Sequence, residues 1–175
     1  MKMSALPEVV LRRARPDDVG FLFELTSHAD IDPFLSAGRD RGADAITADI
    51  ERSDAEPESF GVFVIEADGE RVGTVRFALA NRRSAIADLT QLALHPDARG
   101  RGIADEAARR LQRHLIRDLG LHRLQLEVYA FNERALAHAE RVGFQREGVR
   151  RMAYRHGDGW VDGVLFGFVA EDLED

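Results

Sequence analysis

The chain has 175 residues, 45% of them hydrophobic and 31% charged, and this size and balance predict one soluble packed domain spanning 1–175. It has no cysteine, which excludes disulfides, thiolate metal sites and cysteine nucleophiles. A net charge of -7 and a pI near 5.4 argue against a nucleic-acid partner, and no apolar run approaches the length of a membrane span. The N-terminus carries no recognisable signal peptide, so a cytoplasmic location is expected. Lys2 is the only lysine, so an arginine here carries less functional information than usual.

Val9 to Arg13 is short and β-branched and predicts a strand. Pro16-Asp17-Asp18 followed by Phe21, Leu22 and Leu25 predicts a helix with acidic residues in its first turn. His28 to Phe60 is broken by Pro33, Gly38, Gly42 and Pro57, with one helical stretch near Ala45 to Arg52. Phe60 to Ala67 and Arg71 to Ala80 predict a hairpin across Asp68-Gly69, and Ala85 to Leu94 predicts a third strand.

Ala104, Ala107, Ala108, Leu111, Leu115 and Leu119 recur at spacings of three and four, one buried helix face ended by Gly120. Arg123 to Tyr129 alternates as a strand. Asn132 opens a helix to about Val142, and Phe144 to His156 and Trp160 to Val169 form a last hairpin. The order predicts a mixed α/β sheet, with a parallel crossover from Ala85 to Tyr129.

Leu94-His95-Pro96-Asp97-Ala98-Arg99-Gly100-Arg101-Gly102 precedes the Ala-rich helix. Three readings are open: an arginine-rich surface turn, an altered dinucleotide fingerprint, or a loop that holds a pyrophosphate. A helix start leaves N–H groups without internal partners and carries a partial positive charge. Glycines let phosphate oxygens approach the main chain, and Arg99 and Arg101 add two cationic forks. The dinucleotide pattern needs a glycine where Asp105 stands, and no Gly-Lys-Ser/Thr triplet supports a nucleotide P-loop.

The stretch Leu92 to Ala104 resembles the acetyl-coenzyme A motif of the GNAT superfamily of N-acetyltransferases, whose Arg/Gln-x-x-Gly-x-Gly/Ala pattern is filled by Arg99, Gly102 and Ala104. Asn132-Glu133-Arg134-Ala135 followed by Gly143-Phe144 is similar to a second family signature. Asp162, on the last strand, is similar to the branch containing ribosomal-protein N-terminal acetyltransferases. The resemblance implies a mostly antiparallel sheet of six to seven strands flanked by helices and splayed between the strand ending at Leu94 and Arg123 to Tyr129. It implies acetyl-CoA as co-substrate and no metal. Arg99, Gly100, Arg101, Gly102, Ile103 and Ala104 would hold the pyrophosphate, and Leu92, Ala93 and Leu94 would pair with the pantetheine arm. Asn132, with Ala135 in its motif, would bind that arm too, although Asn132 also reads as a plain helix cap.

The implied reaction moves an acetyl group to an amine of a small molecule or a protein N-terminus. Asp88 is the candidate base, with a solvent-facing strand-end carboxylate as the alternative. Gln91 would orient a water, and a main-chain N–H near Leu94 would stabilise the oxyanion. His95 and His28 are weaker candidates. Many relatives carry a tyrosine seven residues after the motif asparagine to protonate the leaving thiolate; here that position is Ala139, with His138 adjacent and Tyr129 as a possible substitute. The acids Asp30, Asp32, Asp40, Asp44, Asp49, Asp54, Glu56 and Glu58 would favour a cationic acceptor. A homodimer through the last strands is implied by resemblance only. The rival reading is a non-catalytic module that binds an acyl-CoA.

Overall fold

The computed structural model describes residues 6–34 and 42–174, apart from the side chain of Asp32. The strands are β1 (Val9–Arg13), β2 (Phe60–Ala67), β3 (Glu70–Asn81), β4 (Ile86–Leu94), β5 (Arg123–Tyr129), β6 (Gln145–His156) and β7 (Gly159–Val169). The helices are α1 (Val19–Thr26), α2 (Ala43–Ala55), α3 (Ile103–Arg113) and α4 (Glu133–Arg141). The strands hydrogen-bond in the order β1-β2-β3-β4-β5-β7-β6, a mixed seven-stranded sheet. β4 and β5 are parallel over Ile86↔Arg123, Ala87↔Leu124 and Asp88↔Gln125, as the crossover reading requires. The chain packs as two compact units, 1–78 with 90–111, and 79–89 with 112–175. Their boundaries fall inside β3, β4 and α3, so neither is a separate stretch of sequence.

In the first unit the β2–β3 hairpin turns on Asp68 (φ 52°) and Gly69 (φ 84°). Two successive positive φ angles suit the right-handed twist of the flanking strands, which is why Asp-Gly marks such turns. The Asp68 side chain also accepts the Glu8 N–H at 2.9 Å. One core of this unit joins Val9, Ile65 and Ala67 to Leu94, Ala98, Ile103 and Ala107. It fixes the end of β4 and the start of α3 to the same apolar cluster. A second core packs Leu22, Ile46 and Ile50 on Val62 and Val64; α2 extends at both ends beyond the stretch near Ala45 to Arg52 expected from sequence.

Asp18 ties β1 to the entry of α1. Its fully buried carboxylate accepts from Arg12 at 2.7 and 3.0 Å, from the Arg15 N–H at 2.7 Å and from Arg71 at 3.2 Å. Burial alone would raise its pKa, but the bonds from Arg12, Arg15 and Arg71 outweigh burial and hold it at about 2, below the ordinary 3.8.

In the second unit α4 runs to Arg141, one residue short of the sequence reading, and Gly143 follows at φ 93°. α3 continues into this unit as a π turn over His114–Asp118 rather than as a straight helix to Leu119. Leu115 is buried there, while Leu119 is half-buried. On β5, Leu124 is buried, but Leu126 and Val128 are only half-buried. The β6–β7 turn uses Gly157-Asp158 alone, since Gly159 pairs with His156 as the first residue of β7.

Asp18→Ala is expected to cost roughly 3 kcal/mol at pH 7, because Arg12 loses a buried partner. Since the folded pKa of Asp18 is depressed, its stabilisation is complete above 3.8 and lost as pH falls through about 2. Urea denaturation should therefore show a smaller gap between wild type and variant at pH 2.5 than at pH 7.

Candidate active site

The turn after β4 is tight. Pro96–Ala98 forms a 3-10 turn, and Gly100 and Gly102 both adopt φ 74° before α3 begins at Ile103. A side chain at either position would be strained by that left-handed backbone. The N–H groups of Gly100, Arg101, Gly102, Ile103 and Ala104 have no hydrogen-bond partner among the described residues; the first nearby bond runs from the Glu106 N–H to the Gly102 carbonyl at 3.1 Å. A row of unpaired donors at a helix start is an anion site. It fits a pyrophosphate, and a Cβ at Gly100 would meet no protein atom within 4 Å, so that space is open.

The two arginines have separate local partners. Arg99 Nη2 donates to the Asp30 carbonyl at 3.3 Å, joining the turn to the segment after α1. Arg101 faces Asp68 at 3.6 Å; both side chains are at least half exposed, so the pair is weak and leaves Arg101 available to a phosphate. His95 is not poised as a base: its Nδ1 accepts the Asp97 N–H at 3.3 Å and caps the 3-10 turn. His28 does the same for Asp30 at 3.1 Å, and the two rings meet edge to face at 5.4 Å.

Upstream on β4, Gln91 has φ 53°, a left-handed residue within a strand. This breaks the regular alternation just before Leu92, Ala93 and Leu94, of which Ala93 and Leu94 are buried. Gly73 on β3 accounts for a close approach there. A Cβ at Gly73 would lie 2.5 Å from both the Ala93 carbonyl and Leu94 Cδ2. No local sequence pattern marks Gly73, because its constraint comes from another strand.

In the second unit, Asp88 pairs with Gln125, so both point to the sheet face shared by Glu127 and Tyr129. Gln125 Nε2 donates to Asp88 Oδ1 at 2.7 Å, so Asp88 is a held, half-buried carboxylate rather than a free strand-end one. Glu127 was not evident from sequence, where it reads as one polar residue of an alternating strand. Its Oε2 accepts the Tyr154 hydroxyl at 2.6 Å and lies 3.3 Å from Arg150. Its Oε1 is buried without a partner, seated where a Cβ at Gly163 would collide with it.

Tyr129 stacks on Phe131 at 5.5 Å and tilts against Tyr154 at 5.2 Å. Burial and the nearby Glu127 charge raise its pKa above the ordinary phenol value. Asn132 caps α4, its side-chain oxygen accepting the Ala135 N–H at 3.2 Å. The same carboxamide nitrogen has no partner among the described residues. Ala139, where the family resemblance implies a tyrosine, is buried at 1% exposure and supplies no acid.

The acidic segment is less uniformly negative than its sequence. Asp49 is paired with Arg76 and Glu56 with Arg52, while Asp40 and the Asp32 side chain lie outside the described residues.

Comparison with known proteins identifies the class. The family model for the acetyltransferase (GNAT) domain matches residues 8–145, and the chain belongs to that family. It is an N-acetyltransferase that uses acetyl-CoA as co-substrate and an amine as acceptor. An uncharacterized N-acetyltransferase, YokL, from a Bacillus subtilis prophage is 25% identical over 95% of this chain and 92% of its own length. The spermidine N(1)-acetyltransferase of Escherichia coli is 34% identical, but over 49% of this chain and 46% of its own. RimJ of Mycobacterium smegmatis, solved with CoA-disulfide, has 25% identity and a TM-score of 0.81, covering 95% of this chain and 84% of that one. The spermidine N-acetyltransferase of Vibrio cholerae, solved with CoA and spermine, shares the fold at TM-score 0.85 and 20% identity, over 94% and 97% of the two chains. Among the described residues no helix is long and apolar enough to cross a membrane.

Gly102→Glu should abolish the thermal shift produced by acetyl-CoA, because a side chain there strains the left-handed turn, its Cβ meeting Leu6 Cδ2 at 2.8 Å, and adds a negative charge beside the phosphate-binding amides. Gly73→Ala should weaken acetyl-CoA binding roughly tenfold, about 1.4 kcal/mol by calorimetry, by displacing Ala93 and Leu94.

Proposed function

We propose that residues 1–175 act as one catalytic domain that transfers the acetyl group directly, in a ternary complex, to a primary amine of a small molecule or a protein N-terminus. The observation that carries this reading is the run of open N–H groups from Gly100 to Ala104. Those amides, with Arg99 and Arg101, hold the pyrophosphate and thereby place the thioester; positioning alone supplies a large part of such rate enhancements. Leu92 to Leu94 give main-chain partners to the pantetheine arm. The Asn132 nitrogen donates to it while the oxygen remains in the helix cap, so both readings of that residue are compatible.

The chemistry requires a neutral amine, an oxyanion donor and an acid for sulfur. Asp88, oriented by Gln125, accepts the proton that the amine loses as its nitrogen bonds to the acetyl carbon, directly or through a water that Gln91 orients. Glu127, on the same face, is the second carboxylate able to serve. The Leu94 N–H stabilises the oxyanion. As the carbon–sulfur bond breaks, Tyr129 gives its proton to sulfur. Its raised pKa keeps it protonated at neutral pH, and its hydroxyl has no hydrogen-bond partner among the described residues.

A cationic acceptor suits Asp30, Asp44, Asp54 and Glu58, and relatives named for spermidine support a polyamine. A cytoplasmic homodimer belongs to the same proposal. The rival reading, an acyl-CoA sensor without transfer, draws its support from Ala139.

Release of free coenzyme A with a panel of amines separates the two. Transfer predicts amine-dependent release, lowered on the order of 100-fold in kcat by Tyr129→Phe or Asp88→Asn with acetyl-CoA affinity retained. Acetyl-CoA binding without release for any amine would favour the sensor.

A further inference from the structure

Asp162 has no part in the reaction as described, yet β6 is built around it. β6 and β7 pair residue for residue from Gly148↔Leu165 to Arg150↔Gly163, after a first irregularity at Glu147, and resume at Tyr154↔Val161. Between those pairs, Arg151, Met152 and Ala153 stand against Asp162 alone. Met152 adopts φ 49°, an unfavourable backbone for a side chain of its size. Its N–H, removed from the ladder by the bulge, donates to Asp162 Oδ1 at 2.7 Å. A charged acceptor makes that bond stronger than a neutral one.

The bulge changes distances across the sheet. Four residues of regular strand separate their ends by about 13 Å. Here Arg150 and Tyr154 pair with residues only two apart on β7, a span of about 7 Å. Both therefore reach one carboxylate: the Tyr154 hydroxyl lies 2.6 Å and Arg150 Nη1 3.3 Å from Glu127 Oε2. Gly163 completes the arrangement, since any side chain there would displace Glu127.

We propose that Asp162 is a positioning residue: by holding the β6 bulge it converges Tyr154 and Arg150 on Glu127 and so sets the face that Glu127 shares with Asp88 and Tyr129. The inference rests on the reading that this face receives the acceptor amine. Asp162 itself touches neither substrate.

The test uses Asp162→Ala, Asp162→Asn, Tyr154→Phe and the Asp162→Ala/Tyr154→Phe double variant. Asp162→Ala should lower kcat about tenfold with the KM for acetyl-CoA within twofold of wild type. Asp162→Asn keeps an acceptor oxygen for Met152 and should recover most of the loss. The double variant should be no worse than the more impaired single variant, because both changes act through one contact. The chain has two tyrosines, so phenol absorbance in a Tyr129→Phe background follows Tyr154 alone. Burial and Glu127 raise the Tyr154 pKa above 10.0, and Asp162→Ala should bring it back toward that value. Additive losses, an unmoved Tyr154 titration, or equal damage from Asn and Ala would overturn the proposal. If no amine is acetylated, the catalytic reading fails with the positioning role, while the titration still decides whether Asp162 holds Tyr154.

Discussion

Five consecutive backbone N–H groups, from Gly100 to Ala104, have no partner among the described residues, at the start of a helix that the core holds in place. Gly100, Arg101 and Gly102 are exposed, so these donors are open to water or to an anionic ligand in place of a side-chain cap. Most of the first unit can be read as support for them. Leu94, Ala98, Ile103 and Ala107 lie in one apolar cluster with Val9, Ile65 and Ala67, which anchors both ends of the turn. Gly100 and Gly102 supply the two left-handed residues that let the chain enter the helix without covering its amides. Gly73 lets β3 approach Ala93 closely enough to fix the end of β4.

The second unit relies on a different use of glycine. On β7, Gly163 and Gly167 stand opposite Tyr129 and Gln125. Without a Cβ at either position, charged side chains lie flat across the strand from both neighbours. Glu127 from β5 meets Tyr154 from β6 over Gly163. Arg123 from β5 meets Glu147 from β6 in a two-pronged ion pair over Gly167. The result is a polar face on a sheet strand whose other side is apolar, and Asp88 and Gln125 belong to that face.

Local features were legible in the sequence. The β1 and β2 limits, the Asp68-Gly69 turn and the Gly100–Gly102 turn follow from period-two alternation and from glycine conformations that act within a few residues. The Asn132 cap was legible for the same reason. What escaped depends on strand register. Glu127 gains its meaning from Gly163 and Tyr154, which are 36 and 27 residues away, and only the pairing of β5, β7 and β6 brings them together. The β6 bulge was hidden because Arg151-Met152-Ala153 contains no glycine to signal a left-handed residue. The π turn after Arg113 was hidden as well, since the apolar spacing continues through it to Leu119. Ala139 departs from the family resemblance in the sequence itself, and its buried methyl group carries no proton to give.

The amides before α3 can be observed directly. In an amide NMR titration with coenzyme A, the Gly100 and Gly102 resonances should be among the most strongly shifted. They should saturate together, with the same apparent affinity as the whole protein. Coenzyme A binding that leaves both glycine amides unmoved while resonances elsewhere shift would contradict the assignment of this turn as the pyrophosphate site.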